Sequence, residues 1–403
     1  MTLDQLRTDL LDRFTAALDE SDRICEKKKA IVMTVYSDGN RYDISRYRDG
    51  VIPAHGALLT EPPETNPYTY GLDADGRPCY SRAEHTWNKV YWEGFYHFSD
   101  AAIEYIEFEL SSMKPVKLIR LLLENGRKKG FQFLQLNGLT LGRQYEGLSP
   151  REIAEQLPTN EICSLSLYHY ENNRITHADC WSSFPGSGPE NHQEIYTYNS
   201  SGELEEINAV DKDLKRRPIF VTSSELTIEE LADQLAAQIG QVIGDTLSQV
   251  AFDSPLAIVQ LNYREISSYH PYLMVVTVEE QEEILKESSY REDLLVDLFI
   301  SPANHIPTLP DSYERLFVAF MNRVKDTNNY YAATRMIRKV ANILTTEKLY
   351  GKVPVSPGFI AFSVDWSMTP DNNELAEIML ECGMSTETLA NWQQKGIFVQ
   401  DNV

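Results

Sequence analysis

Two stretches of the chain repeat one pattern, in which tyrosines alternate along a strand and a polar turn follows. Tyr68-Thr69-Tyr70 leads into a turn at 73–76, and Tyr196-Thr197-Tyr198 leads into a turn at 199–202. Alternation with a period of two is typical of strands, and such turns join antiparallel strands. The recurrence predicts a duplicated unit of antiparallel strands followed by a helix. Chance similarity between two hairpins is the alternative interpretation.

The chain is longer than one hydrophobic core usually serves. Its 403 residues predict two or three domains, since a domain commonly holds about 100–150 residues. We predict a first α+β unit at 1–138, a second, repeat-like unit at 150–250 and a C-terminal α+β domain at 251–403. The predicted fold class is α+β, with duplicated antiparallel-sheet units flanked by helices and a helix-rich C-terminal domain.

Apolar residues at helical spacing predict the helices that flank these sheets. Residues 4–18 form an amphipathic pattern, and residues 227–250 supply the helix of the second unit. Ser99 and Asp100 are residues that cap helices, which predicts a helix from this point through Leu110. A further helix is predicted at 116–129.

Acidic side chains outnumber basic ones by 60 to 37, which leaves a formal charge of −23. A surface this negative repels nucleic-acid phosphates and anionic lipid, and it attracts basic proteins. The short basic clusters at 27–29, 127–129 and 215–217 suit helix ends or local ion pairs better than a nucleic-acid stripe. The charge therefore predicts a basic protein partner, and it excludes nucleic acid and membrane surfaces as partners.

An aromatic cluster supplies the predicted docking residues, because rigid aromatic side chains ringed by acids are typical of binding hot spots. Burial of these rings in a core is the competing interpretation. The predicted partner-binding residues are Trp87, Tyr91, Trp92, Glu93, Phe95, Tyr96 and Asp100.

The C-terminal stretch Val355-Ser356-Pro357-Gly358-Phe359-Ile360-Ala361-Phe362-Ser363-Val364-Asp365-Trp366, with the ending at 389–397, resembles the closing segment of a group of uncharacterised bacterial α+β domains. The opening strand at 31–36, with Ser37-Asp38-Gly39, is similar to the start of those domains. They are often encoded beside polymorphic toxins and are thought to include immunity proteins. The resemblance implies toxin neutralisation by occlusion, and it implies no catalytic residues.

One pair of histidines lies close together in the sequence and could contribute to a metal site. His169 and His177 would face each other if their strands form one hairpin, near Asp179 and Cys180, which is a conceivable zinc site. Strand histidines beside tyrosines are more often packing residues, and the usual metal-binding spacings are absent. The sequence therefore favours no metal and no cofactor.

Catalytic signatures are absent, which favours a protein without enzymatic activity. Neither a GxSxG nor an SxxK motif occurs, and no P-loop lysine follows the glycines at 182–188. A glycan hydrolase that uses a carboxylate pair among Glu104, Glu107 and Glu109, predicted on a helix, is one alternative. A self-associating scaffold protein is another.

The expected compartment is the cytoplasm. Residues 1–11 carry acids and no long apolar run, unlike a secretory signal. No stretch approaches the roughly 20 apolar residues that span a bilayer. The five cysteines are far apart and odd in number, which favours reduced thiols over a disulfide framework.

Overall fold

The computed structural model describes residues 1–37, 39–46, 57–62, 68–85, 90–109, 114–136, 152, 161–184, 188–222, 226–264, 268–287, 304–306, 309–327, 329–347, 349–365 and 372–394. The chain divides into two compact units. Unit 1 comprises Met1–Phe220 with Asp326–Asn328, and unit 2 comprises Val221–Lys325 and Asn329–Val403. The predicted segments 1–138 and 150–220 thus share one unit, and residues 221–250 group with the C-terminal part.

Unit 1 is built on a 13-stranded antiparallel sheet in which almost every strand pairs with its neighbour in sequence. The strands are β1 (Met33–Ser37), β2 (Leu58–Leu59), β3 (Tyr68–Leu72), β4 (Pro78–His85), β5 (Val90–Phe98), β6 (Ala102–Glu109), β7 (Lys114–Glu124), β8 (Arg127–Leu136), β9 (Glu161–Glu171), β10 (Arg174–Phe184), β11 (Gly188–Tyr198), β12 (Leu204–Val210) and β13 (Arg216–Val221). The spatial order is β13 through β3 in unbroken succession, then β1 and β2.

The predicted fold class, with duplicated sheet units flanked by helices, is wrong. β8 pairs with β9 along its length, from Gly130 opposite Leu167 to Leu136 opposite Glu161, so the strands of both supposed units belong to one sheet. In two separate sheets, β8 and β9 would be edge strands with unpaired backbone N–H and C=O groups. In the single sheet these groups pair with each other. The two stretches that suggested duplication are successive parts of a single meander.

Two of the predicted helices are strands. Residues 102–109 form β6, and most of 116–129 lies in β7 and β8. In β7 both faces bury apolar side chains, as shown by the neighbouring pairs Val116 with Pro115 and Leu118 with Ile119. A strand buried on both faces loses its alternation, and its apolar run is then easily taken for a helix.

The opening helix is confirmed as α1 (Leu3–Asp19), and the short helix α2 (Ser21–Cys25) follows it. Thr2 and Gln5 form a reciprocal capping box at its start, which satisfies backbone N–H groups that lack partners inside the helix. Leu6, Leu10 and Phe14 are fully buried against apolar residues of the sheet. The side of the sheet that α1 covers is called the helix-facing side below.

Three turns of the meander share one geometry, which explains the repeated sequence pattern. At Asp73, Asn199 and Asp211 the side-chain Oδ1 accepts the backbone N–H four residues later, at 2.9 Å in each case. The residue three positions after each has a positive φ: Gly76, Gly202 and Leu214. The repetition therefore reflects a recurring hairpin turn, which asparagine and aspartate favour.

Leu214 is the unfavourable residue of this series, with φ at 61° and a side chain that is 80% exposed. A left-handed backbone costs a residue with a Cβ about 1–2 kcal/mol, whereas glycine adopts it freely. We expect Leu214→Gly to raise the free energy of unfolding by about 1 kcal/mol in urea denaturation. Leu214→Ala is the control, because alanine keeps the strain. Equal stability of both variants would contradict this account.

Unit 2 combines a four-stranded sheet, in the order β16-β15-β14-β17, with helices. β14 pairs antiparallel with β15 and parallel with β17. β14 is buried from Leu256 to Tyr263. The hydrophobic core around this strand also contains Ile239 and Phe320, which come from the helices. The elements are α3 (Ile228–Ser248), β14 (Leu256–Arg264), β15 (Ser268–Thr277), α4 (Val278–Glu287), β16 (Asn304–Ile306), α5 (Glu314–Thr327), α6 (Tyr330–Glu347), β17 (Val355–Asp365), α7 (Asn372–Glu381) and α8 (Thr386–Gln394).

Candidate functional site

The aromatic residues predicted to dock a partner lie mainly inside unit 1. Phe95 is 1% exposed and packs edge-on to Phe108 beneath α1. Tyr96 is 4% exposed on the other side of the sheet, 4.8 Å from the ring centroid of Tyr105. Tyr105 also covers Gly94, where an added Cβ would lie 2.2 Å from its ring. Phe95 and Tyr96 therefore pack the sheet rather than form an exposed surface.

Glu93, predicted as an acidic docking residue, is 5% exposed and has two partners. Lys28 donates to its Oε2 at 2.5 Å, and the Tyr80 hydroxyl donates to its Oε1 at 2.8 Å. Burial, and then the hydrogen bond to Glu93, raises the pKa of Tyr80 above its ordinary value. Glu93 thus anchors the segment after α1 to the sheet.

The remaining predicted docking residues are placed differently. Asp100 is exposed at the turn between β5 and β6, and Trp92 is half-buried on β5. Trp87 and the side chain of Tyr91 lie outside the described residues. A docking role for Asp100 and Trp92 stays a prediction.

Two of the carboxylates proposed for glycan hydrolysis, Glu104 and Glu107, do not form a pair. They lie on the strand β6 and not on a helix. Glu104 points to the helix-facing side, where Arg13 binds its two oxygens at 2.7 and 2.9 Å. Glu107 is on the opposite side and accepts a hydrogen bond from Tyr105 at 2.8 Å. Carboxylates on opposite sides of a sheet cannot flank one glycosidic bond.

The acidic excess includes a surface on unit 2. The sequence contains no lysine or arginine between Arg217 and Arg264. Within this stretch Glu229, Asp233 and Asp245 are exposed on α3, and Asp253 is exposed after it. Lys339 of α6 neutralises Asp233 at 2.6 Å. We call Glu229, Asp245 and Asp253 the α3 acidic surface.

A cavity of about 500 Å³ lies within unit 2, between α3 and α6. Its lining includes Arg335, Arg338 and Lys339 of α6. Arg338 pairs with Glu381, and Lys339 pairs with Asp233, so two of these three cations are neutralised. Arg335 lies 5.9 Å from the ring centroid of Tyr331. The described residues that line the cavity have mixed charge, and they include no pair of a nucleophile and a base.

Two neighbouring strands of unit 1, β9 and β10, bring two histidines and a carboxylate together on the helix-facing side. His169 of β9 stands directly opposite His177 of β10, with ring centroids 4.3 Å apart and planes within 6° of parallel. Nε2 of His169 lies 2.8 Å from Oδ2 of Asp179. Gln193 of β11 donates to the other oxygen of Asp179 at 2.8 Å. The sequence identified this pairing but favoured simple packing.

Hydrogen bonds from neighbouring side chains stabilise the charged carboxylate form of Asp179. Partial burial raises its pKa, but the hydrogen bonds from Gln193 and His169 outweigh that effect and bring the pKa below its ordinary value. The side chains of His169 and Asp179 are each 39% exposed, so solvent reaches both. The group therefore presents a carboxylate oxygen and imidazole nitrogens, which are possible metal ligands, at a surface that solvent reaches.

A second group lies on the opposite side of the same strands, where Cys180, His192 and Glu194 bring one donor atom each within 4.8 Å of one another. Cys180 is 3% exposed, and burial raises the pKa of its thiol to about 12. Glu194 already accepts a hydrogen bond from Tyr196 at 2.8 Å. Reactive cysteines have a lowered thiol pKa, so Cys180 does not have the properties of a reactive thiolate. The Glu194 carboxylate is already occupied by its hydrogen bond from Tyr196.

Comparison with models of known protein families and with curated proteins finds no match. Among solved structures, the chain is similar to a porin-like protein from Bacteroides vulgatus, with 9% sequence identity and a TM-score of 0.25. The similarity covers 47% of this chain and 95% of that chain, and at this TM-score it bears on neither mechanism nor function. Each helix in the described part of the chain is too short or too polar to span a membrane.

Proposed function

We propose that this protein is an acidic binding module that docks a basic protein and occludes it, as immunity proteins do with toxins. The observation that carries the proposal is the formal charge of −23, together with the exposed α3 acidic surface in a stretch without lysine or arginine. The N-terminal end of α3 adds Glu230, but that side chain caps the helix by accepting from Thr227 and is not counted as a docking residue.

Electrostatic attraction of this kind acts mainly on the rate of association. Oppositely charged surfaces raise the encounter rate by 10-fold or more at low salt, and added salt screens the effect. Exposed charges separated by more than about 8–10 Å interact weakly at physiological ionic strength. Glu229 and Asp245 are 16 residues apart on α3, about 24 Å, so they would steer a basic partner through the summed field of the surface and not as one tight cluster.

The test is a titration of the full chain with the basic proteins encoded by its neighbouring genes, followed by surface plasmon resonance. We expect the association rate constant to fall about 10-fold between 50 and 300 mM NaCl. The combined variant Glu229→Gln, Asp245→Asn and Asp253→Asn should slow association about fivefold at low salt, because each lost charge weakens the steering.

The matched control removes three exposed acids from unit 1, through Glu61→Gln, Glu171→Gln and Glu190→Gln. It has the same change in net charge, and we expect less than a twofold effect. Equal slowing by both variants would exclude the α3 acidic surface as the docking site. Failure of every neighbouring basic protein to bind would overturn the proposed function.

A further inference from the structure

We propose that His169, His177 and Asp179 bind one divalent first-row transition-metal ion such as Zn²⁺. Two observations support this inference: the chemical types of the three side chains, and the strand pairing that places them side by side. Two imidazoles and one carboxylate are ligands that zinc, copper, nickel and cobalt accept, whereas magnesium and calcium prefer oxygen alone. This inference is independent of the proposed docking function.

The spacing of the donor atoms fits a metal ion after a small adjustment. One donor atom from each residue lies within 4.8 Å of the other two. Zinc bonds of about 2.0–2.1 Å require donors about 3.3 Å apart in a tetrahedral site. Nε2 of His169 and Oδ2 of Asp179 are 2.8 Å apart, so this pair must open by about 0.5 Å, and the two stacked imidazole rings must rotate so that one nitrogen of each points at the ion. Half-exposed side chains can make such a change by rotation alone.

A β-bulge brings the second histidine into place. The pairing of β10 with β9 shifts between Ile175 and His177, so that Ile175 opposes Tyr170 while His177 opposes His169. The extra residue, Thr176, reverses the side to which the following side chains point. Without it, His177 would not stand beside His169. Bulges of this kind often re-aim a side chain at a functional site.

Neighbouring polar groups fix the orientation of two of the ligands. Gln193 donates to Oδ1 of Asp179 at 2.8 Å, which leaves Oδ2 directed at His169. The Thr176 hydroxyl lies 3.1 Å from Nδ1 of His177. Hydrogen bonds of this kind orient metal ligands, and losing one commonly lowers metal affinity 10- to 100-fold.

Three protein ligands leave a fourth coordination position open to water. Structural zinc sites usually have four protein ligands, so this arrangement corresponds to an exchangeable site and not to a closed structural one. A bound ion would link β9 to β10 directly. Because the ion would bind the folded state and not the unfolded state, it would raise the melting temperature.

The experiment is a titration of the metal-free full chain with Zn²⁺ in competition with a chromophoric chelator, with the melting temperature as a second readout. We expect one Zn²⁺ per chain and a higher melting temperature. His169→Gln and His177→Gln should each weaken affinity about 100-fold, and Gln193→Ala about 10-fold. These side chains are half-exposed or exposed, so the variants should remain folded, which far-ultraviolet circular dichroism checks.

The control is the double variant Cys180→Ser and His192→Gln, which removes the donor group on the opposite side of the sheet. We expect it to bind Zn²⁺ as the unchanged chain does. Co²⁺ gives a separate signature, because a thiolate ligand produces a charge-transfer band in the near ultraviolet and the proposed site has none. Loss of binding in the control, a thiolate band, unchanged binding in both histidine variants, or no stoichiometric binding would each overturn the proposal.

Discussion

Phe95→Ala is expected to lower the free energy of unfolding by about 3–5 kcal/mol, one of the two largest effects of a single substitution that we predict. Phe95 is 1% exposed and contacts both Phe108 and Tyr80 beneath α1. Truncation of a buried phenylalanine removes its transfer free energy and leaves a cavity, which together cost this amount. Urea denaturation monitored by circular dichroism measures the change.

The result also separates the two interpretations of the aromatic cluster. A docking residue on the surface would change stability by less than about 0.5 kcal/mol when truncated. Phe184→Ala is the control, because Phe184 is 51% exposed and should show such a small effect. If Phe95→Ala left the midpoint of unfolding unchanged, the core assignment would be wrong.

Glu104→Ala is expected to cost about 3 kcal/mol, because it leaves the partly buried Arg13 without its two charged hydrogen bonds and removes one of the two carboxylates beside Arg120. The Glu104 side chain is 9% exposed, and that of Arg120 is 14% exposed. Arg13 binds Glu104 through two hydrogen bonds, and Nε of Arg120 lies 3.2 Å from its Oε2 without hydrogen-bond geometry. Arg120 continues the network to Asp9 of α1 at 2.6 Å.

The matched control for this prediction is Glu124→Ala, which removes an exposed carboxylate that pairs with Lys129. Exposed ion pairs contribute about 0–1 kcal/mol, so the control should change stability little. Thermal and urea denaturation of both variants provide the measurement. Equal effects of the two substitutions would show that the network of Glu104 does not hold α1 on the sheet.

The helices with strong end signals could be predicted from the sequence. α1 and α3 begin with the capping boxes of Thr2 with Gln5 and Thr227 with Glu230, and both were located to within a few residues. Ser99 carried a similar signal but caps no helix. Its hydroxyl instead accepts from the backbone N–H of Ala102 within a tight turn. Short polar side chains stabilise turns and helix starts alike, so this signal is ambiguous.

The single sheet could not be predicted from local patterns, because strand neighbours are decided by long-range pairing. β8 and β9 are separated by residues 137–160, and no residue in either strand specifies the other as its partner. For the candidate metal site, the turn at Asn172-Asn173 predicts the hairpin that contains both histidines, but the register of that two-residue turn alone would set His169 opposite Thr176. The bulge at Thr176 has no sequence signal that we recognise.

The order of strands in unit 1 has a consequence for how the chain folds. Pairing between sequence neighbours keeps most contacts local, and chains of low contact order fold quickly because little loop entropy is lost before each pairing is made. α1 is the exception, since Gln132 of β8 donates to the carbonyl of Leu6 at 2.7 Å across more than 120 residues of sequence. During synthesis, α1 leaves the ribosome before β7–β10 and must therefore wait for these strands before its apolar face is covered, and a delay at that stage exposes Leu6, Leu10 and Phe14 to aggregation.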